Sequence, residues 1–138
     1  MNKAFYIMAT VTVMLSLFSL VPNATAEEAA NAPILTDAKP FQPSAQRGKI
    51  MFNSICIHCH HTTSEKSRVG APGLQSVLER HDVTWLKQWL KSPETFAKTN
   101  QAASDLISSN KFGLTMPTLP ITQNANNRAD IIEYLKTL

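Results

Sequence analysis

The chain has 138 residues and a formal net charge of +3, with 13 Lys and Arg against 10 Asp and Glu. The basic residues are spread along the chain without interleaved aromatic residues, which excludes an obvious nucleic-acid-binding surface. The two cysteines, Cys56 and Cys59, are too close in sequence for a disulfide between them to stabilise the fold much.

Residues 1–26 have the pattern of a secretory signal peptide. Lys3 precedes an uncharged, mostly apolar run over residues 4–21, and Ala24 and Ala26 form an A-x-A cleavage site. The alternative is an uncleaved membrane anchor, because the run approaches the roughly 20 residues needed to cross a bilayer. Hydroxyl residues in the run and the A-x-A site favour cleavage, so we expect an exported chain without stable membrane insertion.

Residues 27–43 predict a flexible leader, because they contain three prolines and four alanines and show no hydrophobic periodicity. Residues 44–138 are long enough for one small domain. The first predicted helix begins after Ser44 and runs to Cys56, and the second begins at Asp82 and ends before Pro93.

Pro93 begins a further turn or short helix, and residues 102–109 form another helical candidate. The last helix begins at Thr122 or a nearby Asn. Residues 62–81 and 111–122 are predicted loops. No strand pattern competes, so the fold class is all-α, with about four helices joined by long loops. Such short helices bury little apolar area by themselves, which indicates that something else fills the centre.

Cys56, Cys59 and His60 form C-x-x-C-H, the spacing of covalent c-type haem attachment. In this arrangement two thiols one helical turn apart bond to one edge of the porphyrin, and the following histidine points Nε2 at the iron. The motif therefore predicts haem c, with Cys56 and Cys59 as covalent tethers and His60 as an iron ligand.

Two other kinds of protein site use cysteines and histidines at similar spacing. A thioredoxin-like C-x-x-C follows a strand in an α/β pattern, which the sequence lacks. A zinc or copper site needs further ligands. The candidates for such ligands are the chain's histidines: His58, His60, His61 and His81. The export signal and the all-α pattern favour haem over both.

Met116 is the candidate for the second axial ligand. Met1, Met8 and Met14 leave with the signal peptide, and Met51 lies on the helix that bears the attachment motif, so it cannot reach the opposite haem face. Pro117 favours an extended backbone at Met116, which presents the thioether from a loop. His81 is the rival ligand, although an exposed histidine is the ordinary explanation for its position at a helix start.

From residue 44 to 138 the chain resembles a small monohaem class I cytochrome c of the bacterial periplasmic type. "GKIMFNSICIHCH" is similar to the family pattern G-x-x-x-F-x-x-x-C-x-x-C-H, and "APGLQSVLER" to its P-x-L segment followed by Arg. "MP" supplies the distal methionine, and "IIEYLKTL" looks like the last helix.

The resemblance implies that the first and last helices cross, with Gly48 at the contact and Phe52 packed against Tyr134 or Leu135. It also implies roles for four residues around the haem. The Pro72 carbonyl accepts the Nδ1 proton of His60, Leu74 covers the haem face, and Arg80 and Trp85 meet a propionate.

With His60 and Met116 on the iron, no coordination position is open to a substrate, so we expect a periplasmic carrier of single electrons and not an enzyme. Its partners are redox proteins, such as an oxidoreductase or a respiratory complex, and it acts as a monomer or in transient complexes. The alternatives are a dedicated haem subunit of one oxidoreductase, or a catalytic or gas-binding cytochrome in which Met116 does not bind the iron.

Overall fold

The computed structural model describes residues 39–138, so the predicted signal peptide and most of the predicted leader lie outside the described residues. Six α-helices follow in chain order: α1 (Ala45–Ser54), α2 (Val77–Arg80), α3 (Val83–Lys91), α4 (Pro93–Ala97), α5 (Gln101–Ser108) and α6 (Ala125–Leu135). Within residues 39–138, two 3₁₀ helices cover Cys56–His58 and Pro120–Gln123. The described residues contain no strand, which confirms the all-α fold class.

Helices α1 and α3 begin at the side-chain caps that the sequence predicted. The Ser44 hydroxyl accepts a hydrogen bond from the Arg47 N–H at 3.4 Å, and the Asp82 carboxylate accepts one from the Trp85 N–H at 2.7 Å. Pro93 occupies the first turn of α4, where its missing N–H costs nothing. Asn124 caps α6 through its side-chain oxygen. Helix α6 therefore begins after a nearby Asn, and Thr122 lies in the preceding 3₁₀ helix.

Helix α2 is an addition to the predicted elements, because its residues fall in a segment predicted to be a loop. A helix of four residues is a single turn, too short to show a repeating apolar pattern. Ser76 precedes it with a left-handed backbone at φ 51°, and Val77 is buried in the core. Tertiary contacts, and not local sequence, therefore define this turn.

The core lies where α1, α3 and α6 meet. Its buried apolar side chains come from α1, α2, α3 and α6, and they are Phe52, Val77, Leu86, Leu90, Ile131, Ile132, Tyr134 and Leu135. Among residues 39–138, no helix is long and apolar enough to cross a membrane.

Helices α1 and α6 pack closely at Gly48. A Cβ built on Gly48 would collide with the main-chain carbonyl of Asp130 and would lie 2.9 Å from the Cβ of Tyr134. One turn further along α1, the Phe52 ring meets the Tyr134 ring edge to face, with centroids 5.3 Å apart and planes at 61°. This geometry suits aromatic pairs. The predicted crossing of the first and last helices, with these two contacts, is confirmed.

Asp130 links the start of α1 to α6 through a buried carboxylate. Its oxygens accept hydrogen bonds from Arg47 Nε at 2.6 Å, Arg47 Nη2 at 2.8 Å and the Ser44 N–H at 2.7 Å. Burial opposes ionisation of Asp130, but these hydrogen bonds and the Arg47 charge outweigh burial and hold the pKa of the carboxyl below its ordinary value.

The Gly48 contact predicts a large effect for a small substitution. We expect Gly48→Ala to lower the free energy of unfolding by about 2 kcal/mol or more, because the added methyl pushes two backbones apart. Chemical denaturation of the haem-loaded protein measures the change. Asn53→Ala, at an exposed position of the same helix, is the control and should stay within about 0.5 kcal/mol of the unsubstituted chain.

The Asp130 contacts predict a pH-dependent effect. Asp130→Asn should lower the free energy of unfolding by about 1–3 kcal/mol at neutral pH, because a charge-assisted hydrogen-bond set is lost. The pKa is depressed in the folded state, so this stabilisation is present above the ordinary carboxyl pKa of 3.8 and is lost as the pH falls below it.

The difference between the unsubstituted chain and Asp130→Asn should therefore shrink as the pH is lowered from 5 toward 2. The exposed Glu79→Gln serves as the control. A difference that stays constant over this range would show that the carboxylate charge is not what stabilises the contact.

Candidate haem site

The C-x-x-C-H motif begins just after α1, which ends two residues earlier than predicted. Helix α1 stops at Ser54, and the chain tightens into the 3₁₀ helix Cys56–His58. The Cys56 carbonyl then accepts hydrogen bonds from the Cys59 N–H at 3.1 Å and the His60 N–H at 2.9 Å. This tight turn brings both cysteines and the histidine to one place at the end of α1.

Cys56 and Cys59 do not form a disulfide. Cys56 is half-buried and Cys59 is exposed. Burial raises the pKa of the Cys56 thiol, so this thiol is protonated at neutral pH. A low-pKa thiolate is the mark of a redox-active C-x-x-C pair, and the raised value argues against that alternative.

Within residues 39–138, no three His, Cys, Asp or Glu side chains cluster in a way that could hold a metal ion. A zinc or copper site built from the cysteines and neighbouring histidines therefore has no support in the described part of the chain. His81, one of those candidates, instead stacks on Trp85 with the ring centroids 3.8 Å apart.

The His60 ring is oriented by the loop that follows it. Its Nδ1 lies 2.9 Å from the Pro72 carbonyl oxygen, so the N–H at Nδ1 donates to that carbonyl and Nε2 is left as the metal-binding nitrogen. Burial lowers the pKa of His60, against the opposing effect of the Pro72 hydrogen bond. The ring is therefore neutral at neutral pH, which is the form that binds a metal.

Main-chain hydrogen bonds hold Pro72 in position. The Leu74 N–H donates to the His61 carbonyl at 2.9 Å, and the Gln75 N–H donates to the Thr63 carbonyl at 3.2 Å. Between them Gly73 lies so close to the Thr63 carbonyl that a Cβ could not fit. The loop after the motif thus folds back as a short paired segment that fixes the carbonyl facing His60.

An apolar cavity extends from the motif into the core. The residues around it come from α1, α2, α3, α6 and the loops between them, and they are Phe52, Cys56, His60, Leu74, Val77, Leu86, Trp89, Leu90, Met116, Ile131 and Leu135. With Cys56 assigned to haem attachment, His60 and Met116 are the residues of this set whose side chains can bind iron. Met51 and His81 are not among the lining residues.

These residues fit a covalently bound haem. An apolar lining suits a porphyrin, and Cys56 of the motif lines the cavity together with the oriented His60 ring. The thioether of Met116 comes from a loop distant in sequence. Apart from Cys59, which is exposed, the structure thus brings the predicted tether, ligands and Leu74 to one cavity.

Arg80 and Trp85, predicted to meet a propionate, each donate hydrogen bonds to protein groups. The Arg80 guanidinium donates to the Gly73 carbonyl at 2.7 Å and to the Gln75 carbonyl at 2.9 Å. The Trp85 indole N–H donates to Asn100 Oδ1 at 3.1 Å. Neither side chain is among those that line the cavity. Their contact with a propionate stays a prediction, whereas Arg80 demonstrably braces the loop that contains Pro72.

Trp89 also lines the cavity, a position that was not predicted from the sequence. The signal for it was the spacing on α3. Leu86 and Leu90 are the buried residues of that helix, and Trp89 lies three positions after the first of them, on the same face. Trp85 lies one position before Leu86, at the edge of this face, and stacks on Trp89 with centroids 5.2 Å apart.

Comparison with known proteins agrees with this geometry. Residues 45–138 match the family described as "Cytochrome c". The cytochrome c2 of Rhodopila globiformis is 31% identical over 101 residues, which cover 66% of this chain and 90% of that protein. No solved structure matches the chain significantly.

The matched residues 45–138 include the C-x-x-C-H motif, both candidate iron ligands and the α1–α6 pair. The chain therefore belongs to the cytochrome c family, as an electron-transfer protein that carries covalently bound haem c and is not an enzyme.

Proposed function

We propose that the chain carries single electrons between redox proteins in the bacterial periplasm, with His60 and Met116 as the two axial ligands of its haem iron. The observation that supports this most directly is the shared cavity, in which these two side chains line one apolar space. When bound, the haem supplies an iron that alternates between the ferric and ferrous states.

In this proposal Cys56 and Cys59 attach the haem, which prevents its loss outside the cytoplasm. The Pro72 carbonyl fixes the tautomer of His60 and raises its basicity through the Nδ1 hydrogen bond. Met116 would hold the iron through its thioether together with His60, which would leave no place on the iron for a substrate or gas. The apolar lining excludes water, which disfavours the more highly charged ferric state and raises the reduction potential.

The periplasmic location rests on the signal-peptide pattern of residues 1–26, which lie outside the described residues. We propose redox proteins as the partners, contacted briefly by a monomer of this chain. A dedicated haem subunit of one oxidoreductase has the same site, and measured exchange with several purified redox proteins distinguishes a shuttle from a subunit.

Substitution of Met116 tests the axial ligation. Met116→Leu keeps the side-chain volume but removes the sulfur. We expect the ferric protein to lose the methionine-to-iron charge-transfer band. We also expect the reduction potential to decrease, by less than the roughly 0.8 V over which axial ligands tune haem potentials. Met51→Leu is the matched control, because Met51 packs against the core without lining the cavity, and it should keep the band.

Two results would contradict this ligation. One is a Met116→Leu protein that retains the band, and the other is an unsubstituted ferric protein with a high-spin spectrum. The second result would favour a catalytic or gas-binding cytochrome.

The proposed attachment is tested by mass spectrometry of the denatured protein. Replacement of either Cys56 or Cys59 by Ala should leave one thioether and a covalent haem at reduced yield, whereas the double substitution should abolish the haem mass. His58→Ala, between the two cysteines, is the control and should keep the haem fully attached. Haem that stays covalently bound in the double variant would place the attachment elsewhere.

A further inference from the structure

Asn110, a half-buried residue, holds the segment that leads to Met116. It accepts three successive main-chain hydrogen bonds, from the N–H groups of Phe112, Gly113 and Leu114. The side-chain Oδ1 accepts the first and the third, at 2.9 and 3.3 Å, and the main-chain carbonyl accepts the second at 2.9 Å. In the described part of the chain, residues 111–118 make no other hydrogen bond. The approach to Met116 is therefore folded around a single asparagine.

The same side chain also contacts the loop that leads to Pro72. Asn110 Nδ2 donates to the Val69 carbonyl at 3.2 Å. The next residue, Gly70, has a left-handed backbone at φ 78°, and a Cβ built on it would lie 3.0 Å from Asn110 Nδ2. Glycine therefore permits both the turn and the close approach of the amide. The Asn110 amide thus uses its oxygen in one segment and its nitrogen in the other.

This amide connects the supports of both proposed iron ligands. Val69 lies three residues before Pro72, whose carbonyl orients the His60 ring. Leu114 lies two residues before Met116. The hydrogen bond between the two segments therefore fixes the chain before Met116 relative to the loop that positions His60.

Exchange of the proposed ligand Met116 requires this segment to move. Met116 is half-buried and packs against the core, so moving its thioether out of the cavity displaces the adjoining chain. That displacement loosens the contacts of Asn110, because Leu114 is only two residues away. An imidazole nitrogen also suits iron and competes with a thioether for it. The hydrogen bonds of Asn110 therefore oppose replacement of the thioether.

We propose that Asn110 is a positioning residue that keeps Met116 on the haem iron, by holding the segment before Met116 against the loop that fixes His60. The proposal rests on the proposed ligation of the iron by His60 and Met116. A hydrogen bond that breaks when Met116 leaves stabilises the Met116-bound state by its own net contribution. Its loss favours replacement of Met116 by a ligand from solution, by about two- to tenfold for a typical hydrogen bond.

Imidazole titration of the haem-loaded ferric protein tests this role. Loss of the methionine-to-iron charge-transfer band reports the imidazole concentration at which Met116 is replaced. We expect Asn110→Ala to bind imidazole about two- to tenfold more tightly than the unsubstituted chain. Asn110→Asp should also bind it more tightly. This variant keeps an oxygen for the segment before Met116, but its second oxygen replaces the Nδ2 donor and repels the Val69 carbonyl.

Asn124→Ala is the matched control. The Asn124 side chain accepts hydrogen bonds from the N–H groups of Asn126 and Asn127, at 2.8 and 3.4 Å, so its contacts stay within the start of α6. Loss of this cap should lower the free energy of unfolding and leave the affinity for imidazole unchanged. Chemical denaturation of all three variants separates a general loss of stability from a specific loss of ligand retention.

Tighter imidazole binding in both Asn110 variants, and not in Asn124→Ala, supports the proposal. Equal affinities in all three variants would overturn it, and so would an Asn110→Asp protein that binds imidazole as the unsubstituted chain does. If Asn110→Ala does not fold, the comparison of Asn110→Asp with Asn124→Ala decides. An unsubstituted ferric protein without the charge-transfer band would contradict the ligation by Met116 itself, and this proposal with it.

Discussion

Gly48 lets the backbones of α1 and α6 meet with no side chain between them, and the haem cavity depends on this contact. Because α1 bears Phe52 and leads directly into Cys56, its position against α6 decides where the attachment motif lies. Ile131 and Leu135 of α6 then form part of the cavity lining. The Asp130 carboxylate holds the start of α1 at the same crossing. The contact between α1 and α6 thus determines the position of both the core and the haem cavity.

The two proposed iron ligands are positioned in different ways. His60 belongs to a local motif, and its ring is fixed by a hydrogen bond to Pro72 within the next loop. Met116 lies far along the chain, in a segment between α5 and α6 that contains no α-helix. Asn110 braces this segment against the loop that precedes Pro72. The loops therefore act as parts of one frame around the cavity, although each has little regular structure.

Much of this arrangement could be predicted because it is encoded locally. The caps Ser44 and Asp82 depend on neighbouring residues. The proposed tethers and His60 rest on a local motif in the same way, and Met116 is proposed by elimination among the methionines. Helix α2 could not be predicted, since its single turn depends on burial of Val77. The protein partners of Arg80 and Trp85 were also missed, because a carbonyl or amide acceptor distant in sequence leaves no pattern in the chain.

The meeting of the two end helices also bears on how this chain can vary in length. Once α1 and α6 are paired, everything between them is a closed loop, and the entropic cost of closing a loop grows only with the logarithm of its length, by about 0.6 kcal/mol for each doubling. Inserted or deleted residues between α4 and Met116 should therefore cost little stability, provided that Asn110 keeps its contacts. Shortening α1 or α6 would instead remove half of the contact that closes the loop.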